Sequence, residues 1–155
     1  MWYMDSTLAS EALKENSMAR KHVESKRGPA ALGPYSPGVW AGKLLYLSGQ
    51  TPVDPATGEL IHGDVEAQTM RAFDNLELVL GDAGLTMDNV IKCNVYLTDM
   101  ADFPAMNAAY SRRFNKPYPA RTTVAVAGLP LKARVEIELV AKKPRKEGKA
   151  ARSDR

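Results

Sequence analysis

Two runs toward the C-terminal end carry the side chains best suited to act on a small molecule: Arg121 in RTTVAV (121–126) and Glu136 in RVEIELV (134–140). A guanidinium presents a planar fork that can hold a carboxylate through two parallel hydrogen bonds, and it stays charged at any working pH. A positioned carboxylate can direct water and move protons as a general acid or base. Both runs are rich in β-branched residues and read as strands. Alternation puts Val135, Ile137 and Leu139 on one face, where helices should cover them, and Glu136 and Glu138 on the other. In the earlier run Thr122, Val124 and Val126 group together, with Arg121, Thr123 and Ala125 opposite. The intervening AGLPLKA, with Gly128 and Pro130, can close a hairpin, so Arg121 and Glu136 are expected on one shared face. From alternation alone such a polar face reads first as solvated and only second as a site.

Other chemistries find little support. His22, His62 and Cys93 are far apart in sequence and show no metal-ligand spacing. Ser48-Gly49 lacks the nucleophile-elbow pattern, Ser36 has no histidine nearby in sequence, and neither GxGxxG nor a P-loop occurs. No metal and no cofactor are expected.

The elements that must position these residues follow from periodicity. Lys43 to Ser48 (KLLYLS), bounded by Gly42 and Gly49, suits a short strand. The segment PVDPATGEL, with Pro55 and Gly58, reads as a loop or small edge hairpin. From Asp64 as N-cap, Val65, Ala72, Phe73, Leu76, Val79 and Leu80 recur at helical spacing up to Gly84. Asn89 to Thr98 alternates as a half-buried strand. A second helix is expected from about Asp102, with Pro104 in its first turn, carrying Phe103, Met106, Tyr110 and Phe114 and ending before Pro117. The resulting order, β(β)αβαββ, suggests an α+β sandwich with two helices on one face of a mixed sheet.

With 155 residues, 45% hydrophobic and 25% charged, the chain is sized for a single domain. Residues 142–155 hold seven basic against two acidic side chains and no large apolar one, so a disordered basic tail is expected. Residues 1–28 are mixed and aperiodic and read mostly as a flexible arm, leaving one domain over 29–141. That middle part carries a net charge of −3 against +3 for the whole chain, which argues against a folded nucleic-acid platform. No apolar stretch reaches membrane-spanning length, and Cys93 as the lone cysteine fits a reducing compartment. Acidic residues at Asp5, Glu11 and Glu15 disfavour a transit peptide, so cytoplasmic placement is expected ahead of mitochondrial.

A more specific pointer comes from four segments in order: GPYSPG (33–38), SGQTPVDPATGEL from Ser48, YPARTTVAVAGLP from Tyr118, and RVEIELVA from Arg134. Together with DFPAMNAAY (102–110) they resemble the Rid (YjgF) family over about Pro29 to Lys142. The resemblance implies a chorismate-mutase-like fold and a homotrimer with clefts between neighbours. It also implies cofactor-free hydrolysis of 2-enamino and 2-imino acids to 2-keto acids and ammonia. A trimer would give the polar face something to pack against.

Carried over residue by residue, the family's carboxylate-binding arginine in its P-A-R motif is Arg121, for which the bland alternative is a structural ion pair. The water-orienting glutamate is Glu136, with Glu138 the weaker choice. Tyr35 matches the aromatic residue that closes the cleft, Ser48 and Gly49 match the SGQ segment near the substrate, and Asn107 matches an asparagine that lines the site. Two departures bear on substrate range: Thr123 stands where many members have cysteine, and Pro37 where glutamine is frequent. Thr123 can still exchange one hydrogen bond with a carboxylate. Two other readings stand beside this one. The first is an endoribonuclease or translation inhibitor that holds RNA through the basic tail; the second is a non-catalytic binder of small carboxylates.

Overall fold

The computed structural model describes residues 20–145. Six strands, β1 (Lys21–His22), β2 (Gly38–Ala41), β3 (Leu44–Gln50), β4 (Val90–Leu97), β5 (Ala120–Ala125) and β6 (Val135–Lys142), form one mixed sheet in the order β1-β2-β3-β6-β4-β5. Only β4 and β5 run parallel; the other neighbours are antiparallel. Two helices, α1 (Val65–Asp82) and α2 (Phe103–Ser111), pack on one side.

Helix α1 starts and stops where its sequence dictates. The Asp64 carboxylate accepts from the Ala67 amide at 2.8 Å, satisfying one orphan donor of the first turn, a cap that contributes about 1 kcal/mol. At the far end Gly84 adopts φ +75, and the amides of Gly84 and Leu85 donate back to the carbonyls of Gly81 and Leu80. This double return is the Schellman arrangement, and buried Leu85 completes it. The stripe of Ala72, Phe73, Leu76, Val79 and Leu80 is buried against Val135, Ile137 and Leu139 of β6, as alternation predicts.

Helix α1 also buries three polar side chains, two of which hold loops. Asn75 donates its amide to the carbonyls of Thr51 and Val53, and Gln68 accepts from the Arg134 amide at 3.0 Å. These bonds pin the chain just after β3 and just before β6. Arg134 in turn grips Asp102 with two nitrogens at 2.6 and 3.1 Å, fixing the start of α2 relative to β6.

Several expectations are corrected. The hairpin between the last two strands does not form: β6 inserts between β3 and β4, and β5 instead pairs in parallel with β4 at the sheet edge. Of the loop or small edge hairpin expected after β3, the loop forms, closed by an isolated bridge between Val53 and Leu60. Strand β2, only four residues long and flanked by prolines and glycines, gave too little pattern to be seen. Helix α2 ends at Ser111, so Phe114 packs into the core from beyond it.

Part of the supposed N-terminal arm is structured. Lys21 and His22 pair with Trp40 and Val39, Val23 is buried, and Asp82 receives the amides of Lys26 and Arg27 together with the Arg27 guanidinium. His22 therefore stands on an edge strand. At the other end Lys142 closes β6 and does not begin a tail. Residues 1–19 and 146–155, which hold the rest of the arm and most of the basic tail, lie outside the described residues. Among the described residues no helix is long and apolar enough to cross a membrane.

Among the described residues no helix covers the second face of the sheet. Tyr46 and Val124 are 52% and 41% exposed there, beside a polar group in which Asn94 and Tyr96 both donate to Glu138. A bare sheet face carrying large apolar side chains is an unfinished layer by the ordinary rules of domain construction.

Candidate functional site: two half-sites on opposite faces

Register decides which predicted residues meet. Cys93 pairs with Arg121 on one side and Leu139 on the other, so Arg121 lies on the helix-covered face. Tyr96 pairs with Val124 and with Glu136, which places Glu136 on the bare face. Arg121 and Glu136 therefore do not share a face within one chain. The expectation failed because it assumed that β5 and β6 were hairpin partners, whereas each is matched to β4.

The first half-site surrounds Arg121 at the sheet edge under α2. Its Nη1 donates to Asn107 Oδ1 at 2.8 Å, and its guanidinium carbon lies 4.5 Å from the Tyr110 ring centroid and 5.5 Å from that of Phe103. Residues 103, 107 and 110 are spaced to fall on one face of a helix. Arg121 takes part in none of the ion pairs among the described residues. Its remaining N–H donors are available to a ligand. Thr123 follows on the same face, with its hydroxyl oxygen buried and without a hydrogen-bond partner. The Tyr110 hydroxyl is likewise buried and unpartnered. Below them, burial pushes the Cys93 thiol up to about 12, with the Arg121 and Lys92 charges acting against it, so the thiol stays protonated.

The second half-site surrounds Glu136. A cavity of about 410 Å³ is lined by Leu32, Tyr35, Ser48, Gly49, Pro130 and Glu136, among others. A bulge in β3 between Leu47 and Gln50 brings Ser48-Gly49 over β6, a device that re-aims a strand locally. The Ser48 hydroxyl donates to the Ser36 carbonyl at 2.6 Å and the Ser48 amide to that of Pro37 at 2.9 Å, which ties the GPYSPG segment to the bulge. The Tyr35 hydroxyl accepts from the Leu32 amide at 3.2 Å, folding this segment over the cavity. Proline at position 37 is accommodated because only its carbonyl is needed.

Gly49 has a steric reason to be glycine. A Cβ built there would overlap the Glu136 carboxylate, lying 3.0 Å from Cδ and 3.2 Å from Cγ. Burial, and secondarily the Glu138 charge, raises the Glu136 carboxyl above the ordinary glutamate range. Glu138 is held by two donors on one oxygen, so of the two it is the occupied carboxylate and Glu136 the one open to a ligand. A half-buried carboxyl with a raised pKa at a cavity wall is equipped to exchange protons.

Thus Tyr35, Ser48, Gly49 and Glu136 come together, as do Asn107, Arg121 and Thr123, but the two sets lie apart. Sequence reasoning missed Phe103 and Tyr110, read only as residues of the second helix, Pro130, read as loop, and Leu32. The three-four spacing of 103, 107 and 110 was the available signal for the first pair.

Comparison with known proteins agrees with this architecture. The family described as endoribonuclease L-PSP matches residues 25–143. The protein DfrA of Myxococcus xanthus is 48% identical over 126 residues, covering 80% of this chain and 96% of that protein. A Bos taurus protein named 2-iminobutanoate/2-iminopropanoate deaminase is 40% identical over 126 residues, covering 81% of this chain and 92% of that one. Among solved structures, that of E. coli TdcF with bound serine superposes with a TM-score of 0.75 at 38% identity, covering 80% of this chain and 99% of that one. An α+β architecture with two helices on one side of a mixed sheet, a match across most of the chain and these identities place the protein in the Rid (YjgF) family.

Proposed function

We propose that the chain is a hydrolytic deaminase that converts 2-imino and 2-enamino acids to 2-keto acids and ammonia. Each cleft is completed in a homotrimer, where the Arg121 half-site of one copy faces the Glu136 half-site of the next. The observation that carries this reading is the separation of the two half-sites. Arg121 offers free donors beside two aromatic rings, and Glu136 lines an open cavity on the other face, so neither half can both hold and hydrolyse a substrate alone. The bare sheet face with Tyr46 and Val124 supplies apolar surface for copies to pack together. The name of the bovine relative and the amino acid bound in TdcF support a small carboxylate as ligand.

In this mechanism Arg121 takes the substrate carboxylate in a two-point hydrogen bond. Glu136 accepts a proton from water as the oxygen attacks C2 of the imine, and the C=N π electrons move to nitrogen. Glu136 returns that proton to the nitrogen, giving the neutral carbinolamine; it then carries the carbinolamine hydroxyl proton to nitrogen as the C–N bond breaks, so that the 2-keto acid and ammonia leave. Its raised pKa suits both directions of transfer at one residue. The net reaction consumes one water and releases one ammonia. Thr123 and Tyr35 bound the substrate from either half, and backbone groups near Ser48 and Gly49 help seat it.

The test is subunit complementation. Arg121→Ala and Glu136→Ala are each expected to release no ammonia from an imino acid generated in situ by an amino-acid oxidase. Refolded together in equal amounts, they should recover about a quarter of wild-type activity, because every mixed trimer contains one cleft with both native residues. Unchanged rates in Arg121→Ala, or no recovery on mixing, would defeat the assignment.

A further inference from the structure

We infer that Tyr110, assisted by Phe103, is a positioning residue for Arg121. The Tyr110 ring face holds the guanidinium in the plane that presents its free donors to a carboxylate. This rests on reading Arg121 as the carboxylate anchor.

The geometry supporting it is independent of that role. The guanidinium carbon stands 4.5 Å from the Tyr110 centroid, inside the range of a favourable cation–ring contact, and 5.5 Å from Phe103. Asn107 then fixes rotation by accepting from Nη1. The platform itself is rigid: Tyr110 is 5% exposed and lies against Phe73 and Phe114, with centroids 5.8 and 4.8 Å away. An arginine so held loses less rotamer freedom on binding than one in open water, and the aromatic wall keeps water off one side of its hydrogen bonds.

The Tyr110 hydroxyl identifies which part of the side chain is used. It is buried and without a hydrogen-bond partner, and it is held protonated by burial first and by Cys93 second. A buried hydroxyl without a partner is a cost to folding, so the tyrosine serves through its ring and not through its oxygen. Phenylalanine should therefore do the same work, whereas leucine, which fills similar space without an aromatic face, should not.

The experiment measures binding of 2-ketobutyrate by calorimetry, together with kcat and KM for an imino acid, on the full chain carrying Tyr110→Phe, Tyr110→Leu or Phe103→Leu. Tyr110→Phe should match wild type within about twofold in Kd and KM. Tyr110→Leu should weaken both roughly tenfold, the size of a partly desolvated cation–ring contact, with a smaller change in kcat. Phe103→Leu should show a smaller loss of the same kind. Wild-type affinity in Tyr110→Leu overturns the inference, as does equal weakening in Tyr110→Phe, which would make the hydroxyl the active part. If Tyr110→Leu fails to fold, Phe103→Leu decides, and unchanged affinity there overturns the inference. A wild-type protein that neither binds 2-ketobutyrate nor hydrolyses the imine refutes the proposed function instead, so the two failures are distinct.

Discussion

Replacing Gly49 with alanine should lower turnover about a hundredfold while leaving the fold nearly intact. Gly49 is not among the residues at positive φ, so alanine can adopt its backbone without strain. The nearest atoms to the added methyl all belong to Glu136, whose Cδ and Cγ would lie 3.0 and 3.2 Å from it, with Oε1 closer still. Carbon atoms pack at about 3.5–4.0 Å, and the overlap with Oε1 is deeper than that with the two carbons, so the carboxylate must move by about 1 Å or more. A displacement of about 1 Å in a catalytic group can cost on the order of a hundredfold in rate. Crowding of this kind costs about 1–3 kcal/mol in a tight core. Here the yielding group is the end of a half-buried side chain, and alanine in a strand returns roughly 0.5–1 kcal/mol relative to glycine. The melting temperature should therefore stay within about 5 °C of wild type. Ammonia release in a coupled oxidase assay reads the rate, and a thermal melt reads the fold. The mechanism of the effect is checked by the double variant: with Glu136→Ala already present, Gly49→Ala should cost nothing further in rate. Wild-type turnover in Gly49→Ala, or an additional loss in the double variant, would refute the reasoning.

Two further outcomes follow from other contacts. Glu136→Gln should release no ammonia at any pH, whereas the wild-type rate should fall as acid protonates this carboxylate, at a pH above the ordinary glutamate value because burial raises Glu136. Folding disfavours its charged form, a penalty absent at low pH that grows as pH rises through the folded value. The glutamine variant should therefore melt higher than wild type at neutral pH, with the gap closing below about pH 4; parallel melting curves across pH would contradict this. Asn75→Ala removes the donor from the Thr51 and Val53 carbonyls and should lower stability by about 1–3 kcal/mol in a denaturant titration; an unchanged midpoint would mean that water replaces the side chain freely.

Much of the architecture was legible along the chain because it is governed by local rules. The cap at Asp64 and the left-handed Gly84 mark helix α1, and the period-two burial of Val135, Ile137 and Leu139 marks β6 and its covered face. The short strands β1 and β2 were not legible, since two and four residues carry almost no period and their pairing is with each other and with β3. The roles of Gln68 and Asn75 are not legible from helical spacing, because their partners lie in distant loops.

The candidate residues divide in the same way. Sequence by itself determined which side chains could do this chemistry: the fork of Arg121, the carboxyl of Glu136, and the Ser48-Gly49 pair near the end of β3. Alternation also sorted each strand into two sets correctly. Only the tertiary structure decided how those sets correspond between strands. β5 and β6 are neighbours in sequence but not in the sheet, and their relative parity is set by their separate registers with β4. That pairing is non-local, so Arg121 came to rest beneath α2 against Tyr110 and Asn107, with Glu136 on the bare face opposite. Side-chain chemistry is a property of the residue, whereas the company a residue keeps depends on which strands the whole chain brings side by side.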